Sequence, residues 1–237
     1  MNKQDFYRQE YRKINRQWRD SLTVYRDTID KLTVKNTYVL DIGCGHGNFL
    51  KPVYEKTVHT YGVDPNKDAL AKNKLIKNKV VGVVEYLPFR NNFFDLVVSE
   101  WVLEHLDNPE RAFREIYRVL KPGGKVIFLT PNVWNYNVWI IRLIPNFLHS
   151  LFTTKLYGRQ EGDTYPVRYK INSVKKIAEI LVPLGFKKSQ VILNGDPSYI
   201  SFNRPLFALA CLVEKILDFK PFRLGKVHII GIYKKLS

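Results

Sequence analysis

The sequence predicts an α/β fold built on a doubly wound, mostly parallel sheet, and three observations carry that expectation. Short apolar, β-branched runs alternate with helix-patterned stretches from residue 37 onward, roughly every 20–30 residues. Glycine, proline and asparagine mark the junctions. The length, 237 residues, suits one sizeable domain rather than two full ones. Parallel neighbours need helical crossovers, so both faces of the sheet are covered and ligands gather at the C-terminal ends of the strands.

Residues 5–32 read as a helix or helix pair, because Tyr7, Tyr11, Ile14, Trp18, Leu22, Tyr25 and Ile29 recur at spacings of three and four. TYVLDIG (37–43) is a buried strand stopped by glycine, with a helix expected from about Asn48. VHTYGVD (58–64) is a second strand, and NKDALAKNKLI (66–76) a helix begun by Pro65 or Asn66. KVVGVV (79–84) and FDLVVS (94–99) are strands three and four. NPERAFREIYRVL (108–120) is a helix with Pro109 in its first turn and Lys-Pro-Gly-Gly after its end, before a fifth strand, KVIFLTP (125–131). The rhythm then breaks. Residues 132–170 mix aromatics, apolar side chains and arginine without alternation, as an insertion over the sheet edge would. NSVKKIAEILVPLGF (172–186) resumes as a helix capped by Asn172 or Ser173. Strands at 187–193 and 227–235 follow, with an apolar helix at about 205–218 between them.

Hydrophobic content of 45% argues against disorder. Cys44 and Cys211 stand far apart, with no disulfide framework and no CxxC metal pattern, which fits a reducing, cytoplasmic setting. The start, MNKQDFYRQEYRKINRQW, is too charged for a secretory leader. Two stretches approach a membrane span in character: VWIIRLIPNFLHSLF (138–152), broken by Arg142 and Pro145, and PLFALACLVEKILDF (205–219), broken by Glu214 and Lys215. Neither is long enough to cross a bilayer, and both have the composition to lie on one. The formal charge is +16, and residues 151–237 hold most of it, with fifteen basic and six acidic side chains. That field favours an anionic partner: a lipid surface, a nucleic acid or a phosphorylated substrate. A merely solubilising surface explains it as well.

The chemistry is concentrated in VLDIGCGHGNFL (39–50). A Walker loop needs GxxxxGK[ST], and no lysine follows these glycines before Lys51. The dinucleotide fingerprint needs a third glycine where Asn48 stands; here it falls at Gly47. Asp41 ends the strand just before the loop, where a carboxylate repels pyrophosphate and attracts an ammonium group. Asp64 ends the second strand, where a carboxylate accepts both ribose hydroxyls. The pair selects a nucleoside with a ribose diol and a cationic, phosphate-free tail, requirements that S-adenosylmethionine meets.

With VLDIGCGHGNF (39–49), YGVDPN (61–66), EYLPFRNNFFDLVVS (85–99), VLEHLDNPERAFREIYRVLKPGG (102–124) and KVIFLTPN (125–132) in this order, the chain resembles the class I S-adenosylmethionine-dependent methyltransferases. Within them it is similar to the group that includes quinone-biosynthesis (methyltransferase type 11-like) enzymes. The resemblance implies a seven-stranded Rossmann-like sheet whose last strand is antiparallel. It implies one domain: an N-terminal helical segment (1–36), a cofactor-binding core (37–131), a substrate-side insertion (132–170) and the C-terminal half of the sheet (171–237). Carried over by position, Asp41 engages the methionine ammonium directly or through water, and Gly43, Cys44 and Gly45 bring backbone against the methionyl tail. Asp64 grips the ribose, Pro65 flanks the adenine, and Val84, Glu85 and Tyr86 line it. Ser99 and Glu100 lie beside the amino acid portion. The family often has an aspartate two residues before Glu85; this chain has Val83, so adenine N6 falls to Glu85, to backbone or to water.

Methyl transfer is chiefly a matter of alignment, and a hydroxyl acceptor adds the need for a base. His105 is the candidate catalytic residue, with Glu100 and Glu104 nearby; a structural helix-start role is its alternative. His46 reads as structural, and His149 and Tyr157 are weaker options. Cys44 reads as a small filler and Cys211 as core. Acceptor specificity is expected in 132–149 and 156–169. The expected function is methyl transfer to a small-molecule or lipid-linked acceptor, with peripheral contact to an anionic membrane as a further possibility. Two alternatives stand beside it. An RNA or protein methyltransferase suits the charge, although no RNA-binding appendage and no NPPY-like tetrapeptide is present. A non-catalytic S-adenosylmethionine-binding scaffold is the other, and intact Asp41 and Asp64 argue against it.

Overall fold

The computed structural model describes residues 2–47, 50–136 and 165–236. Helices α1 (Lys3–Ile14) and α2 (Ser21–Asp30) form the expected N-terminal pair, with Asn2 and Asp20 accepting the orphan amides of Asp5 and Thr23. Between them Trp18 turns inward and donates its indole N–H to the Gly195 carbonyl at 2.8 Å. The pair is thereby tied to the far half of the chain.

Seven strands follow: β1 (Tyr38–Ile42), β2 (His59–Asp64), β3 (Asn78–Val81), β4 (Phe94–Glu100), β5 (Leu120–Pro131), β6 (Phe186–Asn194) and β7 (His228–Lys235). They form one sheet in the order β3-β2-β1-β4-β5-β7-β6. The neighbours from β3 to β5 pair in parallel, and β7 runs antiparallel to both β5 and β6. The fold class is therefore the one expected, a Rossmann-like sheet whose order reverses between β1 and β4.

Both faces are apolar because both are covered. Leu40, Ile42, Val97, Val126, Phe128, Ile229 and Tyr233 pack on one side with α5 (Pro109–Val119) and α6 (Val174–Leu181). Val39, Leu96, Val98, Ile127, Leu129, Ile230 and Ile232 pack on the other with α2 and α3 (Lys51–Lys56). The alternation along each strand is the period-two pattern of a doubly covered sheet.

Several boundaries differ from expectation for local reasons. α4 (Lys67–Lys72) is capped by Asn66 as expected but stops at Asn73, whose buried carboxamide takes the Leu75 and Ile76 amides and so ends the helix. α3 begins at Lys51, and positions 48 and 49, where its start was expected, lie outside the described residues. β3 ends early: the Gly82 amide bonds the Asp64 carbonyl at 3.1 Å, and Val84–Tyr86 then winds into a 3-10 turn. β5 starts at Leu120, not Lys125. Leu120 pairs with Phe94 and Lys125 with Leu96, so the Lys-Pro-Gly-Gly tract is a bulge within the strand rather than a linker before it. α6 is capped by Ser173 rather than Asn172. The last helix, α7 (Arg204–Leu217), buries only Ala210, Glu214 and Leu217. Cys211 on α7 is consequently half-buried rather than core. Most of the expected insertion, residues 137–164 with His149 and Tyr157, lies outside the described residues. Among the described residues no helix is long and apolar enough to cross a membrane.

Candidate cofactor and acceptor site

The register brings the predicted residues to one edge. Asp41 pairs with Gly62 on β2 and Val98 on β4, so Asp64 and Glu100 each lie two residues beyond it toward the C-terminal ends. The loop after β1 turns sharply there. Gly43 has φ +74° and its amide bonds the Val63 carbonyl at 2.8 Å; a Cβ at this position would run into the Val102 side chain. Gly45 has φ +45°, and its amide donates to Asp64 Oδ2 at 2.8 Å. Only glycine takes such angles without strain.

Asp64 Oδ1 accepts the Asn66 amide at 2.8 Å, so each carboxylate oxygen already holds one backbone N–H. A carboxylate has about four acceptor sites, which leaves room for a diol. Asn73, fully buried, donates from Nδ2 to the Cys44 and Gly45 carbonyls at 3.2 and 3.1 Å. This residue fixes the loop from below, and sequence reading missed it because nothing local distinguishes it from an ordinary helix-end asparagine.

Asp41 is buried and accepts a hydrogen bond from the Tyr54 hydroxyl on α3. Tyr25, fully buried on α2, has its phenol pushed well up by burial and then by the charges of Asp41 and Glu100. Helix α2 therefore brings Tyr25 beside the strand ends that carry Asp41 and Glu100, a placement that its helical spacing alone did not reveal. Cys44 packs its sulfur over Gly62, and burial, with Asp41 and Asp64 beside it, pushes the thiol far up. That is the state of a filler, not of a thiolate nucleophile.

Ser99 and Glu100 end β4. Ser99 Oγ and Glu100 Oε2 are buried and meet no hydrogen-bond partner among the described residues. Burial pushes the Glu100 carboxyl up to about 7, against a smaller opposing effect of a hydrogen bond to Trp101. Trp101 has φ +55°, donates its amide to the Leu129 carbonyl at 3.0 Å and sets its indole edge-on to His228 at 5.0 Å. A bulky residue in the left-handed region is strained and persists only where its surroundings dictate it. His228, at the start of β7, is buried between Ser21 Oγ (2.8 Å from Nδ1) and the Tyr199 hydroxyl (3.1 Å from Nε2), and burial pushes it down to about 4. Neither Trp101 nor His228 carries a motif that would have singled it out.

The adenine-side residues sit in the turn after β3. Val84 is buried and Pro65 exposed at the rim. The Glu85 carbonyl accepts Arg111 Nε at 3.3 Å, and the same guanidinium lies 3.8 Å over the Tyr86 ring, which is turned toward α5. His105 follows β4 in the 3-10 turn Leu103–His105, its Nδ1 3.1 Å from the Pro166 carbonyl and its ring edge-on to Tyr165 at 6.0 Å. A carbonyl only accepts, so the Nδ1 beside it carries a proton and Nε2 is the ring nitrogen left to accept one. Glu104, beside it, is buried and accepts Thr130 Oγ1 at 3.1 Å, while Asn172 donates to that same oxygen at 2.5 Å. It serves this buried network.

Comparison with known proteins bears on the family and the fold. A family model described as a methyltransferase domain matches residues 40–128. An uncharacterized protein of Methanocaldococcus jannaschii is 33% identical over 79% of this chain and 82% of its own length. The ubiquinone/menaquinone biosynthesis C-methyltransferase of Cupriavidus taiwanensis is 31% identical over 58% of this chain and 59% of its own length. An S-adenosylmethionine-dependent methyltransferase of Mesorhizobium loti superposes with a TM-score of 0.57 at 18% identity, over 88% of this chain and 96% of that one. The chain belongs to the class I S-adenosylmethionine-dependent methyltransferases. S-adenosylmethionine is the cofactor of that family, and the residues described here fit it: two carboxylates, a glycine turn, and a buried hydroxyl and carboxyl still owed partners.

Proposed function

We propose that this methyltransferase acts on a small-molecule or lipid-linked acceptor, with oxygen as the methylated atom, at the sheet edge beyond Glu100. The cofactor supplies an electrophilic methyl group. Asp64 would hold the ribose diol, and Asp41, braced by Tyr54, the ammonium of the methionyl tail. Backbone of Gly43, Cys44 and Gly45 would lie against that tail, with Ser99 and Glu100 completing its polar wall. Pro65, Val84, Glu85 and Tyr86 would border the adenine.

The observation that carries the reading is the end of β4, where Ser99 Oγ and Glu100 Oε2 are buried without partners among the described residues. Such groups cost free energy in the absence of a polar ligand, and a ligand with a cationic end recovers it. His105 would take the proton of a hydroxyl acceptor at Nε2, since Nδ1 is committed to the Pro166 carbonyl.

Calorimetry with S-adenosylmethionine and with adenosylhomocysteine tests the cofactor half; heat and a thermal shift are expected, and neither appearing would overturn it. For the acceptor half, small-molecule and lipid extracts are incubated with the isotope-labelled cofactor and read by mass spectrometry. A labelled small molecule or lipid is expected. Label found only in RNA or protein would replace this reading with the macromolecular one.

A further inference from the structure

α7 is oriented against the usual rule for an amphipathic helix. Its buried stripe, Ala210, Glu214 and Leu217, contains a carboxylate, whereas Leu209, Leu212 and Ile216 on another face are 51%, 55% and 44% exposed. The spacing of three and four continues to Phe219, and Phe222 and Leu224 follow in the 3-10 segment Lys220–Gly225; these three are 64%, 56% and 56% exposed. Apolar side chains of this size are favoured away from water, so six of them exposed along one helix face and the turn after it mark an interaction surface.

The charges around the stripe name the partner. Arg204, Lys215, Lys220 and Arg223 are all exposed. The two acids of the segment share one cation from within the fold: Lys226 Nζ lies 2.8 Å from Glu214 Oε2 and 2.9 Å from Asp218 Oδ1. Apolar side chains rimmed by four exposed cations, with both acids of the segment paired to Lys226, complement the headgroups and acyl boundary of an anionic bilayer. A two-fold pairing of this face with itself would set the cations of both copies against each other.

The location gives the surface a use. The segment between β6 and β7 leaves the sheet at Asn194 and returns at His228, and these residues pair with each other and, through His228, with Pro131 at the end of β5. Asn132 Nδ2 ties the segment to that edge through the Leu224 and Lys226 carbonyls, at 2.7 and 2.8 Å. Glu100 pairs with Leu129 at this same edge. We propose that the face formed by α7 and residues 219–224 docks in the plane of an anionic lipid bilayer and sets the acceptor edge against it. The docking stands independently of the reaction; delivery of a lipid-linked acceptor to the edge rests on the proposed function.

The test is flotation with phosphatidylcholine vesicles, with and without phosphatidylglycerol, at low and physiological salt. The wild-type chain is expected to float with the anionic vesicles and to weaken with salt. Phe219→Ser, Phe222→Ser and Leu224→Ser combined should cut partitioning at least about tenfold, and Lys220→Ala with Arg223→Ala roughly thirtyfold at low salt. Wild-type protein left at the bottom overturns the proposal, as do variants that float like wild type. A dimer in sedimentation that Leu212→Glu dissociates would make the face a self-interface instead, and likewise overturns it. Calorimetry with S-adenosylmethionine on the same variants is expected to be unchanged. Failure of the wild type to bind cofactor would sink the proposed function and leave the flotation result standing.

Discussion

Glu100 carries a carboxyl pushed up to about 7 by burial, and under the proposed function it borders the cationic methionyl tail of the cofactor. A cation there favours the carboxylate, so binding should release a proton. The affinity for S-adenosylmethionine is expected to climb as pH rises through 7, and Glu100→Gln should flatten the profile; calorimetry from about pH 6 to 8 reads both. The same group acts oppositely on stability. Its folded pKa lies above the ordinary 4.5, so the unfolded chain gives up its proton first and stability falls as pH rises from 4.5 to about 7. Asp64 accepts the Gly45 and Asn66 amides and, under the proposed function, also holds the ribose diol. Asp64→Ala should lower cofactor affinity by tenfold or more and cost about 1–3 kcal/mol of stability through the stranded amides, measured by calorimetry and denaturant unfolding. Asp41 and Asp64 were legible because each ends an apolar run beside glycines. Tyr25 and Tyr54 were not, because a buried tyrosine at helical spacing looks the same whether it fills a core or lines a pocket.

At the scale of elements, the glycine loop depends on α4 ending where it does. Asn73 joins the two: its Nδ2 donates to the Cys44 and Gly45 carbonyls, and its Oδ1 accepts from the Leu75 and Ile76 amides. Asn73→Ala leaves these backbone groups buried and unpaired. A loss of about 2–4 kcal/mol in unfolding free energy, with weakened cofactor binding, is the expected result. The other junction is His228, which joins β7 to α2 through Ser21 and to the 3-10 turn Pro197–Ile200 through Tyr199. Its folded pKa of about 4 lies below the ordinary 6.5. The unfolded chain therefore binds the extra proton between these values, and stability is lost as pH falls from 6.5 toward 4. The upper bound is on the order of 3 kcal/mol. Thermal melts across that range should show the loss for wild type and a shallower one for His228→Gln. Element existence was readable from period and caps, as at Asn66, Pro109 and Ser173. Ends were less so: the bulge of residues 121–124 depends on pairing with β4, which no local pattern encodes.

For the whole molecule, the proposed cofactor site lies at the ends of β1, β2 and β4, and α2 is tied to the far end of the chain through the Ser21–His228 contact. Ligand binding should therefore stabilise the fold as a unit. At about a hundred times its Kd, adenosylhomocysteine should add about 2.7 kcal/mol and raise Tm by roughly 5–10 °C in a single transition. Two separate transitions would show that the N-terminal helices melt apart from the sheet.

The amino-acid sequence by itself determined the α/β class, the order of strands and helices, and the two carboxylates bracketing a glycine turn. These are local in origin: periodicity, capping and the residue types at strand ends appear within a dozen positions. Tertiary structure decided which buried side chains meet at the strand ends, left Ser99 Oγ and Glu100 Oε2 without partners among the described residues, put Trp101 in a left-handed conformation and turned Leu209 and Leu212 of α7 outward. Each of these outcomes depends on what the chain brings alongside from more distant positions, and a stretch of sequence carries no record of its neighbours in space.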